Sequence, residues 1–442
     1  MTVAEVRVPR ARLLVAAAAL VACGAILWLT RGFTFYFDEW EFILNAPDWS
    51  FTSYLQPHNE HPVMLPRAIY AVLLSTIGLR SYLPYMFVVL ALHAASALLL
   101  FELVRRRAGD LIGVACALLL LVIGAGWEDL LWAFQMSFVG SVACGLGALV
   151  ALEDPPSWRR LAVATGLLTA SLMFSAIGLF FGLAAAVKLV ATPSRRRDIL
   201  WLVPLGIAFV AWYLAFGRHG SLPNPPSSAS NMLVLLAYVV WGLGSSLLGL
   251  AGVQGNLALV FPFLAIAVLF LTWRKRRPDP LAIGLAAGLV AFYLITGASR
   301  AQFGYQQSGA GRYVYIGAVF WLILLADAAR FLPWRGTWRP ALLACQFLAC
   351  FSSAALLFSF AVAKEVQMER EVADLKALAA ERSDPCLNPD GAVDLLVMPQ
   401  VRKPALYYRA IDLYGDPTLG TPLRDNASFA AAIGNLITCN RH

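Results

Sequence analysis

Three carboxylates stand within four residues of one another, directly after the first long apolar run of the chain: Asp38, Glu39 and Glu41. If that run crosses a membrane, such charges at its edge cost free energy unless they are solvated, paired or used. A carboxylate can accept the proton of an attacking hydroxyl group, so Asp38 and Glu39 are candidate catalytic residues that act as a general base. The alternative is an acidic cap on a solvated helix end.

A second polar segment, His58-Asn59-Glu60-His61-Pro62, follows in the same loop. Two histidines and a carboxylate this close are metal-ligand types, but their spacing fits no standard ligand set, and Pro62 argues against a metalloprotease-type helix. We therefore predict no metal site and no certain cofactor, and a divalent metal stays an unsupported alternative. The favoured interpretation is that His58, Glu60 and His61 contact an acceptor or substrate; a plain surface loop is the other alternative.

A second carboxylate pair, Glu128-Asp129, is flanked by Trp127 and Trp132. Aromatic residues at a membrane edge usually form the interfacial belt, but they also stack on sugar rings. Gln135 lies about a turn further into the apolar segment, where it could line a cavity beside Glu128. We therefore predict that Glu128, Asp129 and Gln135 contact the acceptor or substrate.

A late loop places two arginines, Arg300 and Arg312, on the side opposite to most basic residues. The planar guanidinium fork suits phosphate oxygens, and glycines nearby allow backbone N–H groups to approach such a ligand. We therefore predict a phosphate-binding group of Arg300, Arg312 and Tyr313. The alternative is that these arginines pair with lipid headgroups.

The elements that must position these residues are transmembrane helices. Of the 442 residues 60% are hydrophobic and only 14% are charged, whereas soluble domains carry about 25% charged residues. The net charge of +8 does not indicate nucleic-acid binding, because the basic residues form short clusters between apolar runs, as the positive-inside rule predicts. The 29 arginines against five lysines are typical of a GC-rich bacterial genome. No Gly-rich nucleotide-binding loop, βαβ unit or P-loop is evident, which argues against nucleotide-sugar donors and ATP.

Eleven apolar runs are predicted to span the membrane, at about 20 residues each. They are Leu13–Thr30, Tyr82–Val104, Leu111–Gly126, Leu131–Leu152, Leu161–Ser175, Ile177–Ala191, Ile199–Phe216, Leu257–Trp273, Leu281–Gly297, Tyr313–Ala329 and Ala341–Ala363. With the arginine clusters in the cytoplasm, the amino terminus is inside and the carboxyl terminus is outside. The predicted fold class is thus an all-α polytopic membrane protein in a bacterial plasma membrane.

Two apolar segments do not fit this alternation. Residues 232–252 would place later basic clusters on the wrong side, so we predict a re-entrant or interfacial helix there. The run Ala68–Leu79 is too short to span and is predicted as an interfacial helix within the outer loop 32–81. The Pro- and Ser-rich segment 221–230 is typical of a linker.

The polar tail beyond the last run is predicted to be an extracytoplasmic α/β cap, residues 364–442, after a transmembrane domain of residues 1–363. It is expected to hold a helix near Lys364–Arg382, a strand near Val393–Met398 and a helix near Ala405–Tyr414. Outside the cell the environment permits disulfides, so the two tail cysteines, Cys386 and Cys439, are predicted to be joined.

These features resemble the GT-C glycosyltransferases, specifically the bacterial relatives of the protein O-mannosyltransferase and lipid A aminoarabinose transferase families. The resemblance is carried by the acidic pair Asp38-Glu39, the second acidic site Glu128-Asp129 and the later element Arg312-Tyr313. It implies that Asp38 activates an acceptor hydroxyl and that basic residues hold a polyprenyl phosphate as leaving group. The segment from His58 to Pro62 departs from the pattern of both families.

The expected function is transfer of a sugar from a polyprenyl-phosphate donor to a cell-envelope glycan, lipid or protein at the outer face. The membrane lipid is the other expected partner, and nucleic acid is not one. A transporter or flippase of a lipid-linked sugar is the alternative, although transporters usually place ionisable residues near the bilayer midplane and often show inverted repeats. A non-catalytic membrane scaffold is the third class, and it would not explain two carboxylate pairs and two outer arginines.

Overall fold

The structure, a computed structural model, describes residues 2–153, 155–220 and 229–439. Most of the predicted linker 221–230 lies outside the described residues. By internal contacts the chain divides into two compact units. Unit 1 comprises Met1–Ala25, Gln56–Val63 and Val89–Phe358, and unit 2 comprises Ile26–Leu55, Met64–Val88 and Ser359–His442.

Regular structure in the described ranges is helical. The first nine α-helices in chain order are α1 (Ala11–Leu29), α2 (Asp38–Asn45), α3 (Phe51–Leu55), α4 (Met64–Thr76), α5 (Leu83–Ala108), α6 (Asp110–Leu121), α7 (Trp127–Leu131), α8 (Met136–Glu153) and α9 (Trp158–Phe174). The remaining ones are α10 (Gly178–Ala191), α11 (Val203–Ala215), α12 (Ala229–Gly249), α13 (Phe261–Lys275), α14 (Pro280–Arg300), α15 (Gly311–Ala329), α16 (Trp338–Ala380), α17 (Pro404–Tyr414) and α18 (Asn426–Leu436).

Six helices within the described ranges are long and apolar enough to cross a membrane, and the number rises to eight if each of two bent pairs is one span. The chain is therefore a helical, multi-pass membrane protein. Three predicted spans, 161–175, 177–191 and 257–273, correspond to helices of 17, 14 and 15 residues, shorter than the about 20 that a span needs. The count of eleven therefore stays a prediction.

The two apolar segments predicted not to span are both helical. Helix α4 has 13 residues and covers most of the predicted interfacial helix. Helix α12 is continuous over 21 residues and ends at Gly249, three residues before the predicted end. Whether either lies at the interface stays a prediction.

Buried charges at one end of the unit 1 helices are paired. Lys188 on α10 forms an ion pair with Glu153 on α8, and Arg107 on α5 contacts both Glu153 (3.2 Å) and Asp279 (2.9 Å). Asp327 pairs with Arg330 one turn later on α15, at 3.4 Å, as its spacing suggests. These pairs offset the cost of burying charges between apolar helices.

Helix α16 runs for 43 residues and passes through the predicted domain boundary at residue 363 without a break. The strand predicted at Val393–Met398 is wrong, because this segment forms turns. The Asp394 carboxylate accepts hydrogen bonds from the backbone N–H groups of Leu396 (2.7 Å) and Val397 (3.3 Å), which favours a turn over a sheet ladder. The described part of the tail is thus helix and loop rather than α/β.

The predicted tail helix near Ala405–Tyr414 is confirmed as α17. Cys386 and Cys439 are joined in the structure, with their Cα atoms 5.4 Å apart. An antiparallel bridge between Leu387 and Ile437 lies beside the disulfide and holds the two ends of the closed loop together.

Candidate functional site

A cavity of about 620 Å³ in unit 1 collects several of the predicted site residues. Its polar side chains include Glu60, His61, Arg300 and Tyr313. Its apolar wall is largely aromatic and includes Phe138, Phe180, Phe209 and Phe292. The cavity therefore offers cationic and hydrogen-bonding groups beside a surface that suits a hydrocarbon chain.

A tight turn presents Glu60 to this cavity. The backbones of His58 and His61 exchange two hydrogen bonds of 3.0 Å, so the two residues between them project as a loop. Asn59 takes the left-handed conformation (φ 53°), which asparagine tolerates better than most residues. The backbone of Gly220 lies against this turn, since a Cβ there would come within 2.2 Å of the Asn59 carbonyl oxygen. This close approach requires glycine and brings the neighbouring Arg218 to the cavity wall.

Arg300 is the last residue of α14, and its Nη2 atom lies 2.8 Å from Oε2 of Glu60. Both side chains are mostly buried, at 16% and 28% exposure, so the pair is less screened than one on an open surface. In this state the carboxylate neutralises a guanidinium that was predicted to bind phosphate.

His61 lies in the same cavity with its Nδ1 atom 3.3 Å from Oγ of Ser175, and its ring packs edge-on against Phe138. Burial lowers the pKa of His61 to about 4, and the positive charges of Arg300 and Arg312 act in the same direction against Glu60. The imidazole is therefore neutral at pH 7. His58 is also buried, against the ring of Phe134. Across the described residues, no group of three or more His, Cys, Asp or Glu side chains is arranged to hold a metal ion.

Arg312 lies in the first turn of α15, directly before the cavity residue Tyr313, and its Nη1 atom is 3.2 Å from Oε2 of Glu128. Gly311 permits this approach, since a Cβ there would lie 3.1 Å from the backbone nitrogen of Glu128. The structure thus brings Arg300 and Tyr313 to the cavity and directs Arg312 to Glu128, although Arg312 is close enough to affect His61.

Asp129 and Gln135 point into the interior of unit 1. Asp129 is fully buried, and neither of its carboxylate oxygens has a hydrogen-bond partner in the part of the chain that the structure describes. The same holds for the side-chain carbonyl oxygen of Gln135, which is 3% exposed. Buried polar atoms without partners are rare in folded proteins, so both residues remain candidates for substrate contact.

Asp38 and Glu39 belong to unit 2, where they open α2. The preceding Phe37 has φ 52°, which is strained for a bulky residue and fixes how the helix starts. Asp38 is partly exposed, and its Oδ1 atom accepts a hydrogen bond of 3.2 Å from the side-chain amide of Gln400. Asp38 therefore keeps the accessibility that a general base needs.

Glu39 is fully buried in a cage of tyrosines. Its carboxyl group accepts hydrogen bonds from the hydroxyls of Tyr70 (2.7 Å) and Tyr82 (3.2 Å) and from the backbone N–H of Tyr36 (3.1 Å). Burial raises the pKa of Glu39 to about 8, against these hydrogen bonds and the charge of Lys364. Its surroundings indicate that Glu39 organises unit 2, which leaves Asp38 as the better candidate for the base.

Arg218 was missed by sequence reasoning. It follows the predicted span 199–216 on the predicted outer side, so it breaks the positive-inside trend as Arg300 and Arg312 do. The position of Arg218 on the predicted outer side was therefore the signal by which the sequence could have identified it as a site residue.

Neither a family model nor a curated protein sequence matches the chain. Among solved structures, the chain is similar to the crystal structure of ArnT from Cupriavidus metallidurans bound to undecaprenyl phosphate. The two share 17% sequence identity, with a TM-score of 0.48, over 96% of this chain and 77% of that one.

Proposed function

We propose that this protein transfers a sugar from a polyprenyl-phosphate donor to a hydroxyl-bearing acceptor at the outer face of a bacterial plasma membrane. The observation that carries the proposal is the unit 1 cavity, which combines Arg300, Arg218 and Tyr313 with an aromatic wall. A polyprenyl phosphate has the matching two-part chemistry, an anionic head and a hydrocarbon tail. Arginine supports the head through bidentate hydrogen bonds.

In the proposed reaction, Asp38 accepts the proton of the acceptor hydroxyl as its oxygen attacks the anomeric carbon. A carbon–oxygen bond forms there, and the bond between the anomeric carbon and the phosphate oxygen breaks. The electron pair of that bond leaves with the polyprenyl phosphate, whose added charge is stabilised by Arg300 and Arg312. No redox partner or nucleotide is needed.

The roles of Glu60 and Glu128 follow from their ion pairs. Each carboxylate holds one of the two arginines, at 2.8 Å and 3.2 Å. A donor phosphate has to displace these carboxylates or share the guanidinium groups with them. Neutral His61 adds a hydrogen-bonding group beside Arg300 without adding a charge.

The test is an assay of purified protein with a panel of polyprenyl-phosphate sugars and envelope acceptors, using Asp38→Asn and a control on the same helix, Glu41→Gln. Loss of general-base catalysis typically lowers the rate by ~10²–10⁴-fold. We expect this loss for Asp38→Asn with donor binding retained, and near-normal turnover for Glu41→Gln.

Two outcomes would contradict the proposal. Wild-type turnover in Asp38→Asn would remove Asp38 as the base. Movement of lipid-linked sugar across a liposome membrane, without any transfer to acceptor, would favour the alternative of a transporter or flippase.

A further inference from the structure

A second cavity, of about 370 Å³, lies in unit 2 and contains none of the predicted site residues. Four segments form it: the residues around the end of α1, the turn between α4 and α5, one face of α16, and the tail loop between α17 and α18. Its charged side chains are three arginines and two glutamates, a net charge of +1: Arg31, Arg80, Arg424, Glu365 and Glu369.

The charges of this cavity are not evenly paired. Arg424 forms ion pairs with both glutamates. Its Nη1 atom lies 3.1 Å from Oε1 of Glu369 and 3.7 Å from Oε1 of Glu365. Arg31 and Arg80 have no carboxylate within ion-pair distance among residues 2–153, 155–220 and 229–439. The guanidinium of Arg31 instead lies 3.8 Å above the ring of Trp28 and donates to the Trp28 carbonyl oxygen. Two guanidinium groups therefore border the cavity without a neutralising partner.

A buried threonine also lines this cavity. Thr34 is 4% exposed and lines it, and its Oγ1 atom has no hydrogen-bond partner among the described residues. A buried hydroxyl without a partner costs free energy, which a ligand atom accepting its hydrogen bond would recover. Thr34 is thus an observation separate from the arginines, and it points to a polar ligand.

We propose that this cavity binds the phosphate group of an ester, with Arg31 and Arg80 holding its oxygens and Thr34 donating a further hydrogen bond. Guanidinium groups are suited to phosphate because their N–H fork matches two of its oxygens. The paired glutamates leave acceptor oxygens for hydroxyl groups elsewhere on the ligand, as in a glycerol or sugar moiety. Neither Arg300 nor Arg312 lines this cavity, and the proposal does not depend on the proposed transferase activity.

Two sources of this phosphate share the same chemistry. Trp28 and Arg31 stand at the end of the apolar helix α1, an arrangement typical of the membrane interface, so one source is an anionic phospholipid headgroup. The other is a soluble sugar phosphate.

Binding to purified full-length protein is measured with short-chain phosphatidylglycerol, short-chain phosphatidylcholine and glucose 1-phosphate as probes. All measurements use an Arg300→Ala, Arg312→Ala background, so that the unit 1 arginines do not contribute. We expect Arg31→Ala and Arg80→Ala each to weaken binding at least about tenfold, the effect of losing one charge-assisted contact. Arg402→Ala, an exposed arginine of the same unit outside the cavity, serves as the control and should leave affinity unchanged.

Thr34→Val is the variant that separates a binding site from a structural cavity. It keeps the shape and removes the unpartnered hydroxyl, so thermal stability should stay the same or rise while affinity falls. Saturable binding of phosphatidylglycerol alone identifies a lipid site, and binding of glucose 1-phosphate identifies a soluble ligand. Absence of saturable binding of all three probes, or affinities insensitive to Arg31, Arg80 and Thr34, would overturn the proposal.

Discussion

At Arg300, the Glu60 carboxylate pairs with the guanidinium group that we propose binds the donor phosphate. Removing the charge of Glu60 should therefore increase donor affinity. Because partly buried ion pairs contribute roughly 1 kcal/mol, we expect Glu60→Gln to tighten binding of a polyprenyl phosphate by about three- to tenfold. The measurement is a direct binding titration with purified protein.

Asp48→Asn is the matched control for this prediction. It breaks a carboxylate–arginine pair of 2.7 Å in unit 2, with Arg409, and should leave donor affinity unchanged. Weaker donor binding in Glu60→Gln would mean that Glu60 orients Arg300 for the phosphate rather than competing with it.

Glu39 gives unit 2 a pH-dependent stability. The pKa of Glu39 rises from 4.5 to about 8 on folding. Between these two pH values the folded protein therefore keeps a proton that the unfolded chain has already released. The stabilising contribution is complete below pH 4.5 and is lost as the pH rises through about 8. Glu39→Gln, which cannot ionise, should flatten the fall in melting temperature between pH 5 and pH 9. An unchanged slope in this variant would show that Glu39 is already ionised at low pH.

Helical segments pack closely against one another at positions where a glycine has no side chain. Gly124 stands in the break between α6 and α7, where the two helices bend by 45°. Its backbone N–H donates to Oγ of Ser353 on α16 at 2.9 Å, and a Cβ at this position would lie 2.1 Å from the Ser353 carbonyl oxygen. Gly124→Ala should therefore destabilise unit 1 by about 1–3 kcal/mol, the usual cost of overpacking.

Gly166, inside α9, provides the opposite case. A Cβ there meets nothing within 4 Å, so Gly166→Ala should stabilise the helix by about 0.5–1 kcal/mol. Thermal unfolding of the two variants in the same detergent measures both effects. A stabilised Gly124→Ala would contradict the close packing of α16 against this break.

Most helices could be predicted from the sequence because apolar runs mark their length directly. The first apolar run predicts a helix at Leu13–Thr30, and the helix is observed at Ala11–Leu29. The tail was harder, since its strand prediction rested on a short apolar stretch that cannot be told from a buried turn by pattern alone. In that segment, the local hydrogen bonds of the Asp394 side chain favour a turn conformation of the backbone.

The candidate site shows a similar limit. Residue types identified the acids and arginines as candidate site residues. They did not show which of two adjacent residues has its side chain buried. Asp38 and Glu39 are adjacent on α2, yet one is partly exposed and the other fully buried, because successive helical residues point about 100° apart. The pair of Glu60 and Arg300 joins residues 240 positions apart, which no local pattern reveals.

At the scale of the whole molecule, the predicted topology places the amino terminus inside and the tail outside. The tail disulfide favours this orientation, because disulfides persist mainly in oxidising compartments. The test uses Glu5→Cys and Ser383→Cys, each in a background whose five unpaired cysteines are replaced by alanine. Both positions are exposed, so a membrane-impermeant maleimide applied to intact spheroplasts should label Ser383→Cys alone and reach Glu5→Cys only after lysis. Labelling of the amino-terminal position in intact spheroplasts would reverse the orientation. Protection of both positions would place the tail in the cytoplasm and require an even number of spans.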